Sequence, residues 1–267
     1  MSVFHFDSAM VRTPAPSVVK GLRAHGGDGP SHEGILAEHR AYLAALEAAG
    51  LTVEVLPPLE DFPDAVFVED PAFVLPEGAV LLRPGAPSRM DEAAALAPAL
   101  RSRFDTLLEL DEGFADGGDI LILPDEILIG LSARTDKLGA KRFVELMAML
   151  GRKARIVATP EGTLHLKSGC GLLDSETIVA TPALTASDCF QGLEVVVTPE
   201  GEEAAANLLR ANEAVLIADG YPRTAELIAA RGYAPVALPA AEIAKLDAGL
   251  SCMSLRWLSG SDSSGRA

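Results

Sequence analysis

Residues 120–130 read ILILPDEILIG, two short apolar runs joined at Pro124 and Asp125, and Thr135 then opens a stretch with Phe143, Leu146, Met147 and Leu150 on one helical face. A hairpin followed by a helix is the reading. Some 48 residues earlier, AFVL from Ala72 turns at Pro76, Glu77 and Gly78 into AVLLRPG, and a helix is expected to open at Ser88, with Asp91 at the capping-box spacing. From Gly169, GCGLL turns at Asp174 and Ser175 into TIVATP. From Asn207, NLLR turns near Asn212 into AVLIADGYP and a helix over 224–231. Units repeating every 40 to 50 residues or so mark a repeat architecture.

A single strand follows each helix: LTVEVLP from Leu51, DTLLEL from Asp105, ARIVA from Ala154, EVVV from Glu194 and YAPVALP from Tyr233. VFHF near the amino terminus and SCMSLRWL near the carboxyl terminus have no hairpin partner. Pairing them, with the helix between Ser31 and Gly50 (Leu36, His39, Leu43 and Leu46 inward), completes a fifth unit and gives a single closed α/β ring. No Gly/Ser-rich linker or shift of composition divides it. One domain over 1–258 is expected, followed by a small, polar, disordered tail at 259–267.

The 267 residues are 49% hydrophobic and 22% charged, which fits a globular chain and excludes a fibre or low-complexity scaffold. A formal charge of −16 repels phosphate backbones and anionic lipid, so neither nucleic acid nor membrane is an expected partner, while a cationic ligand is favoured. The longest stretch without charge, Thr177 to Ser187, is far short of the roughly 20 apolar residues of a spanning helix. No secretory signal is read at the amino terminus. Three cysteines, Cys170, Cys189 and Cys252, cannot all pair, and a reduced cytoplasmic setting fits them.

Four apolar residues, Ala65 to Val68, read as a strand buried on both faces, yet Asp64 stands at one end and Glu69 with Asp70 at the other. Such acids cap turns or face cations, since a buried carboxylate without a partner is costly. Asp116, Gly117, Gly118 and Asp119 enter a hairpin, the glycines permitting close approach or positive φ. A carboxylate held there could orient an imidazole. His165, the one histidine of the second half, lies in LHLKSG and as a strand residue points with Lys167, away from its leucine neighbours. His25, His32 and His39 have no ligand-like spacing to a cysteine, so no zinc site is expected. Cys252 stands in GLSCMSLRW, near the end of the closing strand. A buried cysteine is often only a small hydrophobe, but a ring brings loops of different repeats together, and one cysteine with one histidine there would suit nucleophilic catalysis.

Taken together, FPDAVFVED (62–70), DGGDILIL (116–123), GLSART (130–135), LHLKSGC (164–170), GYPRT (220–224) and GLSCMSLRW (249–257) resemble the dimethylarginine dimethylaminohydrolases of the guanidine-modifying fivefold α/β-propeller superfamily. The resemblance runs from about residue 10 to residue 258. It implies a closed, pseudo-symmetric fivefold propeller of ββαβ units and an enzyme converting Nω,Nω-dimethyl-L-arginine or its monomethyl analogue to L-citrulline and the methylamine. Cys252 is implied as nucleophile, His165 as general acid then base, and Asp116 as the supporting acid, where family members carry Glu or Asp. Asp70 is implied to bind the guanidinium with Glu69 behind it, Asp64 to stand near the α-amino end, and Arg89 and Arg134 to hold the α-carboxylate. Pro16 to Gly29 corresponds to a lid region. The resemblance implies no metal or organic cofactor and a small cationic amino-acid substrate, and admits a homodimer. An arginine deiminase or amidinotransferase of the same superfamily, or a non-catalytic propeller, are the competing readings. The retained Cys252, His165 and Asp116 speak against the last.

Overall fold

The computed structural model describes residues 3–24, 27–187 and 189–259. Its strands form five three-stranded sheets of one pattern. In the second, β3 (Ala72–Leu75) and β4 (Gly78–Leu81) form the antiparallel hairpin, helix α2 (Glu92–Arg101) follows, and β5 (Leu107–Glu109) returns parallel to β4. The third uses β6 (Ile120–Ile122), β7 (Ile127–Leu131), α3 (Lys137–Met149) and β8 (Ala154–Ala158) in the same way. In the fourth, β9 (Cys170–Leu172) and β10 (Thr177–Ala180) precede the four-residue α4 (Pro182–Thr185) and β11 (Glu194–Val197). The fifth has β12 (Leu209–Ala211), β13 (Ala214–Ala218), α5 (Pro222–Ala229) and β14 (Ala234–Leu238), followed by the short α6 (Ala241–Ala244).

The first sheet is built from both ends of the chain. Strand β1 (Ser8–Arg12) pairs in parallel with β2 (Thr52–Leu56) across α1 (His32–Ala48), and antiparallel with β15 (Leu255–Trp257), Ser8 standing opposite Trp257. The terminal pairing expected from sequence is therefore present, but with Ser8–Arg12 as the strand in place of VFHF. Residues 3–6 dock on the turn after β12, where the Asn212 side chain binds both the N–H and the carbonyl of Phe6 and the Asn212 N–H donates to Phe4. Asn212 reaches them from the left-handed region, at φ 56.

Apolar cores fill the spaces between neighbouring sheets. Strand side chains alternate in direction, so Phe73, Leu75 and Val80 meet Ile120, Ile127 and Ile129 of the third sheet, whereas Val74, Ala79 and Leu81 meet Met10, Leu255 and Trp257 of the first. Leu121 and Leu128 turn instead to Ile178 and Ala180, Val179 to Val215 and Ile217, and Leu216 to Ala9 and Val11. Each central strand is thus buried on both faces. This is why the hairpins read as continuous apolar runs rather than alternating ones.

Four local expectations change. Residues 65–68 are buried, but they form turns, not a strand. Helix α2 starts at Glu92, after a 3-10 turn over Pro87–Arg89, so Ser88 does not cap it. Helix α3 is capped by Asp136, whose side chain accepts the Gly139 N–H, while the Thr135 hydroxyl is used elsewhere. On α1 the buried face is Ile35, Glu38, His39, Tyr42 and Leu46, with Leu36 and Leu43 only half-buried. Burial pushes the pKa of His39 down to about 4, so it packs as a neutral ring. His25 lies outside the described residues, as do residues 260–267 of the expected tail; Ser259 is tied by its N–H to Asp7. No helix among the described residues is long and apolar enough to cross a membrane.

Candidate active site

The turns at 64–70 replace an expected strand, and the exchange has a chemical effect. An extended chain would separate Asp64 from Asp70 by about 20 Å, at 3.3 Å per residue. Turning instead brings both carboxylates to one pocket, which Phe67, Arg89, Asp116, Arg134, His165 and Cys252 also line. Of the eight site residues named from sequence, seven line this pocket and Glu69 does not. His165 and Cys252 likewise sit on 3-10 turns rather than strands. His165 caps the turn Leu166–Gly169, and Cys252 lies in the turn Leu250–Met253 that leads into β15.

His165 is bound through Nε2 to Asp116 Oδ2 at 3.1 Å, and both are buried. Asp116 Oδ1 accepts the Gly85 N–H at 2.7 Å, which fixes the carboxylate from its other side. The two glycines of DGGD serve close approach and not positive φ. A Cβ on Gly118 would stand 2.6 Å from His165 Nδ1, and one on Gly117 would stand 2.0 Å from the Glu69 carbonyl oxygen. Burial alone would lower the His165 pKa, but the hydrogen bond to Asp116 and the charges of Asp70 and Asp119 push it up to about 9. Cys252 moves the same way, but here burial acts with the carboxylates and not against them. Burial first, then the carboxylates of Asp70 and Glu69, push its thiol up to about 12. At neutral pH these shifts make His165 an imidazolium and Cys252 a thiol. Asp70, Asp116 and His165 also present one atom each within 4.8 Å of one another, a spacing open to a cation.

The two arginines differ sharply. Arg89 is buried and engaged on every side: Nε and Nη2 on Glu92, Nη1 on Asp70, and Nη2 on the carbonyls of Asp64 and Phe67. Burial would lower its pKa, but Asp70 and Glu92 hold it well above the usual value. Arg89 in turn holds Asp70 ionised: against the cost of burial, the Arg89 and His165 charges lower its pKa. Arg134 is half-buried, and among the described residues its guanidinium has no hydrogen-bond or ion-pair partner. Its guanidinium is open to a ligand. Asp64 Oδ1 accepts the Leu22 N–H at 2.9 Å, and burial raises its pKa despite the nearby Arg89 and Arg134.

Glu69 faces a separate cavity, where its carboxylate meets Lys167 at 2.6 Å, Arg256 at 3.1 Å and the Ser251 hydroxyl at 3.3 Å. Its backbone N–H donates to the Cys252 carbonyl at 3.2 Å, so it braces the cysteine turn from behind. Sequence reasoning did not name Glu92, Lys167 or Arg256 as partners. Glu92 had a signal in its i, i+3 spacing from Arg89; the other two meet Glu69 only through the fold. Leu22 and Ala24 of the expected lid line the pocket opposite Leu246 and Asp247, and the Asp247 carboxylate accepts the Ala24 N–H at 2.5 Å.

An α/β fold of five like sheets, with a thiol, an imidazolium and several carboxylates in one pocket, has the make-up of a hydrolase that acts on a cationic substrate. A family model described as eukaryotic N,N dimethylarginine dimethylhydrolase matches residues 30–165. The N(G),N(G)-dimethylarginine dimethylaminohydrolase of Pseudomonas aeruginosa is 37% identical over 254 residues, covering 94% of this chain and all of the relative. Among solved structures, the citrulline complex of a Cys-to-Ser mutant of that organism's enzyme superposes with a TM-score of 0.92 at 36% identity, over 95% of this chain and 100% of the other. A His-to-Gly dimethylarginine dimethylaminohydrolase in adduct with S-methyl-L-thiocitrulline superposes with a TM-score of 0.91 at 36% identity, over 94% and 99%. The chain belongs to the dimethylarginine dimethylaminohydrolase family and is a hydrolytic enzyme.

Proposed function

We propose that the chain hydrolyses Nω,Nω-dimethyl-L-arginine and monomethyl-L-arginine to L-citrulline and the methylamine, with Cys252 as nucleophile, His165 as general acid and base, and Asp116 supporting it. The observation that carries this is the His165–Asp116 pair lining one pocket with Cys252. The guanidinium lies between Asp70 and Asp116, with Arg134 on the α-carboxylate, Asp64 near the α-amino group, and Arg89 holding Asp70 in place. When the cationic guanidinium binds, the Cys252 thiol releases its proton to solvent; the thiolate adds to the guanidinium carbon, the His165 imidazolium gives its proton to the departing amine, and an S-alkylthiouronium remains on Cys252. Neutral His165 then takes a proton from water, the hydroxide adds to the same carbon, and the thiolate leaves as the new hydroxyl gives its proton to solvent, which yields citrulline. The thiol attack needs no metal or organic cofactor. Incubation with dimethylarginine and, separately, with arginine, following citrulline and the released amine, tests the reading. Dimethylamine release with citrulline supports it; ammonia release from arginine at a higher kcat/KM would make the chain a deiminase.

The cost of burying the thiolate beside two carboxylates falls when the substrate cation neutralises Asp70. Alkylation of Cys252 in the free enzyme by iodoacetamide should therefore rise about tenfold per pH unit between pH 6 and 8, because a thiol with a pKa far above the buffer gains thiolate in that proportion. A plateau below pH 8 in the mass-resolved labelling rate would show that the thiolate already exists.

The five sheets form, in this reading, a closed pseudo-fivefold α/β-propeller over 1–258. The inter-sheet cores support it, since each sheet shares one core with each of two neighbours and the fifth shares its second core with the first.

A further inference from the structure

Asp119, the second acid of DGGD, is buried and lies outside the chemistry described above. Its Oδ1 accepts the Leu166 N–H at 2.9 Å, next to His165. Its Oδ2 accepts two hydroxyls at 2.6 Å, those of Ser132 and Thr135. Both hydroxyls are themselves acceptors: Thr135 Oγ1 takes the Asp116 N–H at 3.1 Å, and Ser132 Oγ takes the N–H groups of Arg134 at 3.0 Å and Thr135 at 3.2 Å. Gly130 of β7 leaves room for the carboxylate, since a Cβ there would come within 3.2 Å of Oδ1.

We infer that Asp119 is a positioning residue of the reaction, one buried carboxylate that fixes the backbone of Asp116, His165 and Arg134 together. The inference rests on the roles assigned above to those three residues. Its physical basis is polarity. Three donors converge on one side chain, and each hydroxyl is oriented because Asp119 accepts from it while backbone N–H groups donate to it. An acceptor-only group is required. An amide of the same shape must turn its NH2 either to the Leu166 N–H, another donor, or to the hydroxyls, of which Ser132 already accepts two N–H groups and Thr135 one, and which would then have to swing their own O–H bonds away. Either choice displaces a segment carrying a reacting group. The charge acts as well, because Asp119 joins Asp70 and Asp116 as the carboxylates facing His165.

Asp119→Asn should lower kcat by about ten- to a hundredfold, the range in which small misplacements of reacting groups are felt. It should also move the limb of the pH profile due to His165 to lower pH, because one anion that favours the imidazolium is gone. The two hydroxyls should separate the effect. Thr135→Val frees Asp116 and should lower kcat with KM nearly kept, whereas Ser132→Ala loosens Arg134 and should raise KM with kcat nearly kept. These two variants retain the charge and carry the test if Asp119→Asn does not fold. Kinetics and pH profile of Asp119→Asn within twofold of the parent would overturn the inference, as would hydroxyl variants that lower Tm without splitting kcat from KM. His165→Asn is the control. If it keeps the parent rate, the underlying assignment fails; if it is inactive while Asp119→Asn matches the parent, only the inference fails.

Discussion

Cys252→Ser is expected to lower kcat for dimethylarginine by roughly three orders of magnitude or more, because an alcohol with a far higher pKa replaces the thiol as nucleophile. The fold should not notice. The turn that carries Cys252 is held by backbone bonds, from its N–H to the Gly249 carbonyl and from the Glu69 N–H to its own carbonyl, and neither involves the sulfur. Thermal unfolding should stay within a degree or two of the parent, and the variant should still bind citrulline by calorimetry. Retention of more than a few per cent of turnover would remove Cys252 from the mechanism. Cys170→Ser and Cys189→Ser serve as controls; both cysteines are buried in the core between the third and fourth sheets, and their replacement should alter packing alone.

The second large effect is on stability, and it separates two arginines that sequence placed together on the α-carboxylate. Arg89→Ala leaves Asp70 and Glu92 buried without their shared cation. Breaking one partner out of a buried ionic set costs about 3–5 kcal/mol, which for a chain of this size lowers Tm by roughly 10 °C. Glu92, already held near pKa 6 by burial despite Arg89, should then become protonated at neutral pH. Arg134→Ala should hardly change Tm, because its guanidinium has no partner to lose among the described residues, yet kcat/KM for dimethylarginine should fall about tenfold or more. A methylated alkylguanidine without the α-carboxylate should be a poor substrate of the parent and lose little further in Arg134→Ala, since both changes remove one interaction. Calorimetry and kinetics on the two variants check the split. Equal loss of the carboxylate-free analogue in Arg134→Ala would place the amino-acid end of the substrate elsewhere.

The hairpins at 72–81, 120–131, 170–180 and 209–218 were legible because strands buried on both faces leave unbroken apolar runs between turn residues. The same rule misread 65–68, whose four apolar residues are covered by other elements without belonging to a sheet. Apolar runs report burial, not conformation. Asp64, Asp70, Asp116, His165, Arg134 and Cys252 could be listed from motifs, but nothing in their spacing shows that Glu69 turns away to Lys167 and Arg256 or that Arg89 is already neutralised. Those facts depend on pairs up to 187 residues apart. Thr135 shows a subtler limit: as a threonine before a helix it fits a cap, and it is the fold that gives the capping task to Asp136 and sends its hydroxyl to Asp119.

The pairing of β1 with β15 carries a kinetic consequence. Ser8 meets Trp257 only after nearly the whole chain has been threaded between them, the kind of distant contact that slows folding far more than it alters final stability. The turn bearing Cys252 runs straight into β15, so the thiol reaches its place with that last and most distant strand. On refolding from denaturant, helical signal should recover first and turnover should lag behind it, which makes catalytic activity a stopwatch for the meeting of the first and last strands.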